Sequence, residues 1–244
     1  MSRFYIPKEA VKGETIVITG PEAHHIIDVM RLKRLDKVVA FDGTGAEFIG
    51  FIKDVKKKAV LMKVVETRLP PRISKSKITL IQSIPKKDKM DYVVEKATEL
   101  GVHSIMPIVT ARTIVRWSCE KKALAVDRWR RIAKEASKQC GRADIADIQE
   151  IRDYDYIIRS FTDYDIVLIA TLAGDTLQLK DALKDFKGGR IAVLIGPEGD
   201  FTHDEVAMAR EAFFKPVTLG SRVLKSDTAA LAALAVLNYE FADR

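Results

Sequence analysis

From residue 78 onward, short apolar runs alternate with longer segments that have a helical hydrophobic period. The runs are too short for helices and read as strands buried on both faces. This alternation predicts an α/β fold in which helices cover both faces of a parallel sheet, with ligands bound beyond the carboxyl ends of the strands. The predicted strands are 78–84, 104–109, 166–170, 191–195 and 216–219, and the predicted helices are 86–100, 123–139, 177–186, 202–214 and 227–241.

The first 72 residues have a different pattern. Short alternating runs at 15–18, 37–41, 48–55 and 59–66 are separated by turn signals such as DGTG and KKK, which predicts a mostly β domain. One helix is predicted in PEAHHIIDVMRLK, with His25, Ile26, Val29 and Met30 on an apolar stripe. The segment RLPPRISKSK then combines Pro, Ser and basic residues without a period, as linkers do. We therefore predict two domains, 1–72 and 73–244.

Charge and hydropathy limit the possible partners. The chain has a formal net charge of +7, most of it within the first 72 residues, which is compatible with a polyanionic partner, although many basic proteins bind none. The longest apolar run, 229–237, is far shorter than the roughly 20 residues of a membrane span, and no leader sequence opens the chain. We expect a cytoplasmic protein with no membrane contact.

Several common signatures do not occur. Cys119 and Cys140 form no CxxC pair and the four histidines are scattered, so we expect neither a disulfide framework nor a metal site. No GxGxxG, GxxxxGK[ST], GxSxG or HExxH motif is present. Dinucleotide-fold, phosphate-loop, hydrolase and zinc-peptidase chemistry are therefore disfavoured.

The stretch LIGPEGDFTHDEV, residues 194–206, places a glycine-bearing turn between a strand and a helix. Thr202 with Glu205 three positions later predicts a capping box at the start of that helix. Glu198 would then lie at the ligand-binding end of the sheet. The alternative is a structural turn in which Gly196 and Gly199 supply positive φ angles and Glu198 is a solvated surface acid.

Four blocks, taken together, resemble a known family. HHIIDVMRLK, KKDKMDYVVEKATELGV, IGPEGDF and LGSRVLKSDTA occur in this order over almost the whole chain, and they are similar to the signature blocks of the RsmE family. These are small-subunit (16S) ribosomal RNA methyltransferases of the SPOUT class. The resemblance implies an N-terminal PUA-like β-barrel for RNA binding and a SPOUT α/β domain with a C-terminal trefoil knot. It also implies a homodimer that uses S-adenosyl-L-methionine to methylate N3 of a uridine.

The resemblance also implies which residues hold the cofactor. Three loops would surround it, and glycines there would let the backbone approach the adenosine closely. The residues of these loops, with one from the helix that follows, are Thr171, Leu172, Ala173, Gly196, Pro197, Glu198, Gly199, Leu219, Gly220, Ser221, Arg222, Val223, Leu224 and Thr228.

Methylation of uridine N3 requires a base and a cation. The imide nitrogen is a poor nucleophile until its proton leaves, and negative charge then develops on the neighbouring carbonyl oxygens. Glu198 and Asp227 are the candidate carboxylates, and Arg222 is the candidate catalytic cation, with Lys225 close by in the sequence. The role of each stays open. Asp227 has the alternative role of capping a helix that begins at Thr228.

The chain departs from the family pattern at three places. The family usually has GPEGG where this chain has Asp200, and LR[TS]ETA where it has Lys225, Ser226 and Asp227. Lysine lacks the bidentate fork of arginine, and aspartate is one methylene shorter than glutamate, so these positions differ from the family pattern in reach and in hydrogen-bond geometry. Asp200 is expected to tolerate the left-handed backbone conformation that glycine adopts there.

RNA contacts and the dimer interface are predicted from charge and hydropathy. Each basic run has the alternative of being a solvated face. Trp129 is either a core residue or a dimer contact. Residues 229–237 are apolar on all sides, which predicts a helix whose uncovered face, at Leu234 or Leu237, pairs with its copy across a two-fold axis. The candidate RNA-binding residues are Arg31, Lys33, Arg34, Lys86, Lys87, Arg112, Arg116 and Arg142.

Two other functions stay open at this point. One is a non-catalytic RNA-binding or ribosome-assembly protein of the same fold, suggested by the altered LKSDTA block. The other is a SPOUT methyltransferase that acts on another RNA position.

Overall fold

The computed structural model describes residues 2–69 and 76–241. The chain divides into two compact units, one formed by 1–72 together with 134–145 and the other by 73–133 together with 146–244. Most of the predicted linker at 68–77 lies outside the described residues. Among the residues described, no helix has both the length and the apolar character needed to cross a bilayer.

The first unit is built on a six-stranded sheet in the order β1-β4-β5-β6-β3-β2. β1 pairs with β4 in parallel and every other neighbouring pair is antiparallel. Alternate residues such as Ile16, Ile18, Val60 and Met62 form one buried core. Within 2–69 no ladder joins β1 to β2, so the barrel expected from the resemblance is open along that edge. The elements are β1 Ser2–Tyr5, β2 Val11–Lys12, β3 Thr15–Thr19, α1 Gly20–His24, β4 Lys37–Phe41, β5 Glu47–Lys56 and β6 Ala59–Arg68.

The apolar stripe predicted on the first helix is wrong in its second half. α1 ends at His24 and continues as a π-helical turn over His25–Val29, in which the Met30 N–H donates to the His25 carbonyl. This wider turn breaks the 3.6-residue period on which the prediction rested. Ile26 is fully buried, whereas Val29 and Met30 are exposed.

Residues 134–145 belong to the first unit, although the division predicted from sequence places them in the second domain. Lys138 Nζ donates to Glu22 Oε1 at 3.0 Å, and the Arg3 guanidinium donates to the Arg142 carbonyl at 3.0 Å. These long-range bonds tie the segment to α1 and β1.

The second unit alternates strands and helices, as predicted. The strand bounds 104–109 and 166–170 agree with the prediction, but the helix predicted at 177–186 is reduced to a short strand and a five-residue helix. The elements are β7 Lys77–Ser83, α2 Lys89–Glu99, β8 Ser104–Val109, α3 Cys119–Cys140, β9 Asp147–Ile148, β10 Arg152–Asp153, α4 Tyr154–Ser160, β11 Ile166–Ala170, β12 Leu177–Gln178, α5 Leu179–Leu183, β13 Arg190–Ile195, α6 His203–Glu211, β14 Lys215–Thr218 and α7 Ser226–Phe241.

The strands of the second unit form one fully parallel sheet in the order β10-β8-β7-β13-β11-β14-β12, with β9 beside β8. One face packs against α4 and α6 through a core that includes Ile81, Ile169 and Leu194. α7 packs against α2, β7 and β13. Because side chains alternate along a strand, α2 and α7 account for the burial of the alternate residues Leu80 and Val193. The predicted parallel sheet is confirmed.

Candidate functional site

The carboxyl ends of three neighbouring strands border a cavity of about 230 Å³. β13 and β14 lie on either side of β11, so the loops that follow the three strands converge above the end of β11. The cavity is lined by residues within 170–172, 195–200 and 218–226, together with Ala229 of α7. This is the edge of the sheet at which the sequence pattern predicts a ligand site.

Side chains of α7 and β7 hold the loop after β13 through hydrogen bonds. Ser226 Oγ donates to the Gly196 carbonyl at 2.5 Å, and Gln82 Nε2 donates to Ser226 Oγ at 3.0 Å. Both side chains are buried. A Cβ at Gly196 would lie 3.2 Å from the Phe201 ring and 3.3 Å from the Asp200 backbone. Close packing, rather than a positive φ angle, therefore disfavours a side chain at 196.

The alternative in which Gly196 and Gly199 supply positive φ angles is wrong. Neither has a positive φ, and the residue of this loop that does is Asp200, with φ +59°. The expectation that Asp200 tolerates the left-handed conformation is confirmed. Its Oδ2 accepts from Thr171 Oγ1 at 3.0 Å and from the Leu172 N–H at 2.8 Å, and its Oδ1 accepts from the Phe201 N–H at 2.8 Å.

Beneath this loop, α6 begins with the predicted capping box. The Thr202 hydroxyl accepts from the Glu205 N–H, and the Glu205 carboxylate accepts from the Thr202 N–H. Glu205 is buried and also accepts from the Ala111 N–H at 2.8 Å. Tyr154 donates its hydroxyl to the Glu205 carbonyl at 2.6 Å, and burial, with a smaller contribution from the Glu205 charge, raises the pKa of the phenol. The start of α6, which follows the GPEG loop, is therefore fixed by several hydrogen bonds.

Two carboxylates at the rim of the cavity share one lysine. Lys89 Nζ donates to Asp227 Oδ1 at 3.2 Å and lies 3.9 Å from Glu198 Oε1. The same Glu198 oxygen accepts from the Lys86 N–H at 3.1 Å. Of the two carboxylates, Glu198 lines the cavity. The capping role for Asp227 is wrong, because α7 begins at Ser226 and Asp227 lies within its first turn.

The 219–225 segment forms the outer wall. Thr218 Oγ1 donates to the Gly220 carbonyl at 3.0 Å, and the Gly220 N–H lies 3.2 Å from the same oxygen. Arg222 lines the cavity with an exposed side chain that has no ion-pair partner among the described residues. Val223 and, from the opposite loop, Leu172 add exposed apolar surface.

The structure brings together most of the residues that the resemblance implies. Four of the predicted cofactor residues, Ala173, Gly199, Ser221 and Thr228, are adjacent in sequence to lining residues but do not line the cavity themselves. The Ala173 N–H, for example, is taken by Thr171 Oγ1 at 3.1 Å. Lining residues absent from the prediction are Ala170, Ile195, Asp200, Thr218, Lys225, Ser226 and Ala229.

The sequence carries a signal for several of the missed residues. The last residues of β11, β13 and β14 are signalled by the strand pattern itself, because the sheet edge at which strands end is the binding edge. Ser226 and Ala229 are three residues apart on a helix and so share a face. Lys89 belongs to the basic run PKKDK, whose lysines are candidate phosphate contacts in the sequence, but no sequence signal predicts its place between Glu198 and Asp227.

In the first unit, three of the predicted RNA-binding side chains are exposed and one is bonded to a neighbouring carboxylate. Arg31, Lys33 and Arg34 are exposed after α1. The Arg142 side chain is only 14% exposed, and its guanidinium forms a pair of bonds to the Asp144 carboxylate. This pairing favours a structural role for Arg142. His25 packs edge-on against Phe4, which agrees with packing rather than catalysis.

In the second unit, Lys86 and Lys87 are exposed, with the Lys86 N–H bonded to Glu198, and Arg116 is exposed after β8. Arg112 donates to the Gly199 carbonyl at 2.5 Å and to the Phe201 carbonyl at 3.2 Å, so it supports the GPEG loop. Trp129 is buried and donates to Asp91 Oδ1 at 3.1 Å, which makes it a core residue of its unit.

Comparison with known proteins agrees with this arrangement. A model of the RNA methyltransferase domain matches residues 72–238, and a model of the RNA methyltransferase PUA domain matches 18–65. Ribosomal RNA small subunit methyltransferase E of Bacillus subtilis is 29% identical, over 98% of this chain and 97% of its own, and that of Aquifex aeolicus is 30% identical, over 97% and 99%.

A solved structure agrees over nearly the full length. The ribosomal RNA small subunit methyltransferase E of Neisseria gonorrhoeae, solved bound to S-adenosyl methionine, is 30% identical and covers 99% of this chain and 98% of its own, with a TM-score of 0.87. Both units have a matching domain model, and the loops that border the cavity lie within the larger match. The chain therefore belongs to the RsmE family of RNA methyltransferases, with an N-terminal PUA domain and a SPOUT-type α/β domain.

Proposed function

We propose that this protein transfers a methyl group from S-adenosyl-L-methionine to N3 of a specific uridine in 16S ribosomal RNA. The observation that carries the proposal is the cavity at the ends of β11, β13 and β14, which lies within the matched methyltransferase domain. A Neisseria relative was solved with this cofactor bound, and relatives in other bacteria are named for small-subunit ribosomal RNA. Because the proposed substrate is ribosomal RNA, we propose a cytoplasmic location.

The cavity suits the proposed cofactor. Its walls offer backbone groups from strand-end loops, and Leu172 and Val223 add exposed apolar side chains. Binding sites of this kind are mostly apolar with a few placed polar groups. When bound, S-adenosylmethionine supplies an electrophilic methyl group and its own leaving group, so the methyl group needs no metal ion for activation.

We assign the proton transfer to Glu198. Lys86 N–H and Lys89 both contact its Oε1, and among the described residues no hydrogen bond engages Oε2. Oε2 can therefore accept the N3 proton of the uracil ring, which leaves the N3 lone pair free to attack the methyl carbon. Arg222, from the facing wall, would stabilise the negative charge on the uracil carbonyl oxygens. Lys89 would hold the Glu198 and Asp227 carboxylates in place.

We propose that the 219–225 segment completes the trefoil knot of the SPOUT class. The segment leaves β14 on one side of β11, and α7 then starts beside the loop of β13 on the other side, with Ser226 bonded to Gly196. A trefoil knot requires the chain to cross in this way, from β14 to the loop of β13 and past the 171–176 loop. Chains rarely thread loops, so the crossing needs a functional explanation. The 219–225 segment lines the cavity, and a role in ligand binding supplies that explanation.

We propose a homodimer, with a contact surface that differs from the one predicted from sequence. Leu234 and Leu237 are buried within the subunit at 1% and 0% exposure, because α7 packs on α2, β7 and β13. The face that stays exposed carries Val236 and Tyr239. We place the two-fold contact on that face.

We propose that RNA is held by exposed basic residues of both units. Arg31, Lys33 and Arg34 would contact phosphates from the first unit, and Lys86 and Lys87 would do so beside the cavity.

Two assays test the function. Calorimetric titration with S-adenosylmethionine in the presence of a chelator should show binding, and tritiated methyl transfer to total RNA should label ribosomal RNA. Binding without transfer would favour the non-catalytic alternative. Labelling of transfer RNA instead would favour a different SPOUT substrate.

A further inference from the structure

Thr171 and Leu172 of the 171–173 turn after β11 line the cavity, and Thr171 is buried. Leu172 is 62% exposed, and Gly174 and Asp175, which follow the turn, are exposed as well. The turn beyond Thr171 has little packing, so hydrogen bonds are needed to hold it in shape. The Thr171 N–H is anchored by the end of β14, where it donates to the Val217 carbonyl at 3.2 Å.

Beyond Thr171, one carboxylate oxygen organises the turn. Asp200 Oδ2 accepts from both the Leu172 N–H and the Thr171 hydroxyl. That hydroxyl in turn accepts from the Ala173 N–H at 3.1 Å, so three consecutive residues depend on a single oxygen atom. Asp200 Oδ1 is fixed by the Phe201 N–H, which orients the carboxylate toward the turn.

The backbone of Asp200 also favours this arrangement. Its φ of +59° lies in the left-handed region, which side-chain-bearing residues adopt less readily than glycine. The conformation points the carboxylate across the cavity edge from the β13 loop to the β11 loop. These two strands are neighbours in the sheet, so the bonds join two walls of one cavity.

We propose that Asp200 is a positioning residue that holds the 171–173 turn in its binding shape before the cofactor arrives. The identity of the ligand rests on the proposed function, whereas the bonds within the turn do not. If loss of the carboxylate leaves the turn correctly folded for only about a tenth of the time, apparent cofactor affinity falls about tenfold.

The test compares Asp200→Gly, Asp200→Asn and wild type in two measurements. Hydrogen exchange of the ligand-free protein reports on the Leu172 and Ala173 amides, and calorimetry with S-adenosylmethionine reports affinity. We expect Asp200→Gly to exchange these amides at least about tenfold faster and to raise the Kd about tenfold. Asp200→Asn retains an acceptor oxygen and should recover part of both effects, and the loss should fall on cofactor KM more than on kcat.

Asp204→Asn is the matched control, because it removes one negative charge from an exposed position four residues away. It should leave Leu172 exchange unchanged. The proposal is overturned if Asp200→Gly leaves the exchange of both amides at the wild-type rate. It is also overturned if Asp200→Gly and wild type bind the cofactor equally. If wild-type protein binds no S-adenosylmethionine, the proposed function fails, and the exchange comparison still decides the role of Asp200.

Discussion

Lys89 is the residue on which the charge balance of the rim depends. It lies between Glu198 and Asp227, and without it the two carboxylates would face each other across the same position with no cation between them. Like charges that lose a shared counter-ion repel each other, and this repulsion would displace the Glu198 carboxylate, the proposed proton acceptor.

We therefore predict that Lys89→Met lowers kcat/KM for methyl transfer by about tenfold or more, which corresponds to about 1.4 kcal/mol. Lys89→Arg retains the charge and should recover part of the activity. Lys96→Met, which removes a lysine paired with Glu95 and Glu99 on the same helix, should leave methyl transfer close to wild type. Equal losses in Lys89→Met and Lys96→Met would argue against a specific role for Lys89.

At Gly220 the backbone conformation, rather than a side chain, shapes the cavity. Its φ is +128°, and an added Cβ would meet no protein atom within 4 Å. A side chain there therefore adds backbone strain, and it occupies the wall of the cavity rather than the core.

Gly220→Val should lower the free energy of unfolding by about 1–3 kcal/mol and raise the Kd for S-adenosylmethionine by about tenfold. Denaturant unfolding and calorimetry measure the two effects. Gly141→Val is the matched control, since Gly141 also has a positive φ and open surroundings but lies in the first unit. It should lose stability alone, and a similar loss of affinity in both variants would refute a local role for Gly220.

At the scale of elements, the start of α7 connects the cavity to the sheet. Ser226 accepts from Gln82 of β7 and donates to Gly196 after β13, so one buried hydroxyl ties together a helix, a strand and a loop. Removal of such a hydroxyl leaves a buried carbonyl without its donor.

We predict that Ser226→Ala lowers the free energy of unfolding by about 1–3 kcal/mol, as measured by denaturant titration. Gln82→Leu should be destabilising as well. Because the two side chains are bonded to each other, the double variant should lose less than the two single variants combined. Strict additivity would show that the bond contributes nothing measurable.

Elements with a clear hydrophobic pattern or a local capping motif were predictable from sequence, and elements with a mixed pattern were not. β8 and β11 are continuous apolar runs, and Thr202 with Glu205 is a local capping motif, so their positions follow from the residues themselves. α4 was missed because YDYIIRS is rich in aromatic and β-branched residues, which favour strands. The π-helical turn at His25–Val29 and the position of Lys89 depend on tertiary contacts that no local pattern encodes.

At the scale of the whole molecule, the proposed dimer contact lies on the exposed face of α7. Val236 and Tyr239 are 49% and 71% exposed on a helix whose opposite face, with Leu234 and Leu237, is buried. The first residues of the same helix, Ser226 and Ala229, line the cavity. A contact on this face would therefore couple dimerisation to the cofactor site.

We predict a wild-type dimer at micromolar concentration and a shift toward monomer in Val236→Glu, measured by light scattering. A charge placed in an apolar interface loses hydration without gaining a partner. Val65→Glu makes the same change at an exposed valine of the first unit and should leave the dimer intact. A monomeric wild type, or a monomeric Val236→Glu with normal cofactor affinity and activity, would remove the dimer from the mechanism.

The most direct test of the central claim is nucleoside mass spectrometry of 16S ribosomal RNA after incubation with the protein and isotopically labelled S-adenosylmethionine. We expect one labelled N3-methyluridine at a single position, with the label lowered at least about a hundredfold by Glu198→Gln. Label on another base atom or on ribose, or full labelling by Glu198→Gln, would contradict it.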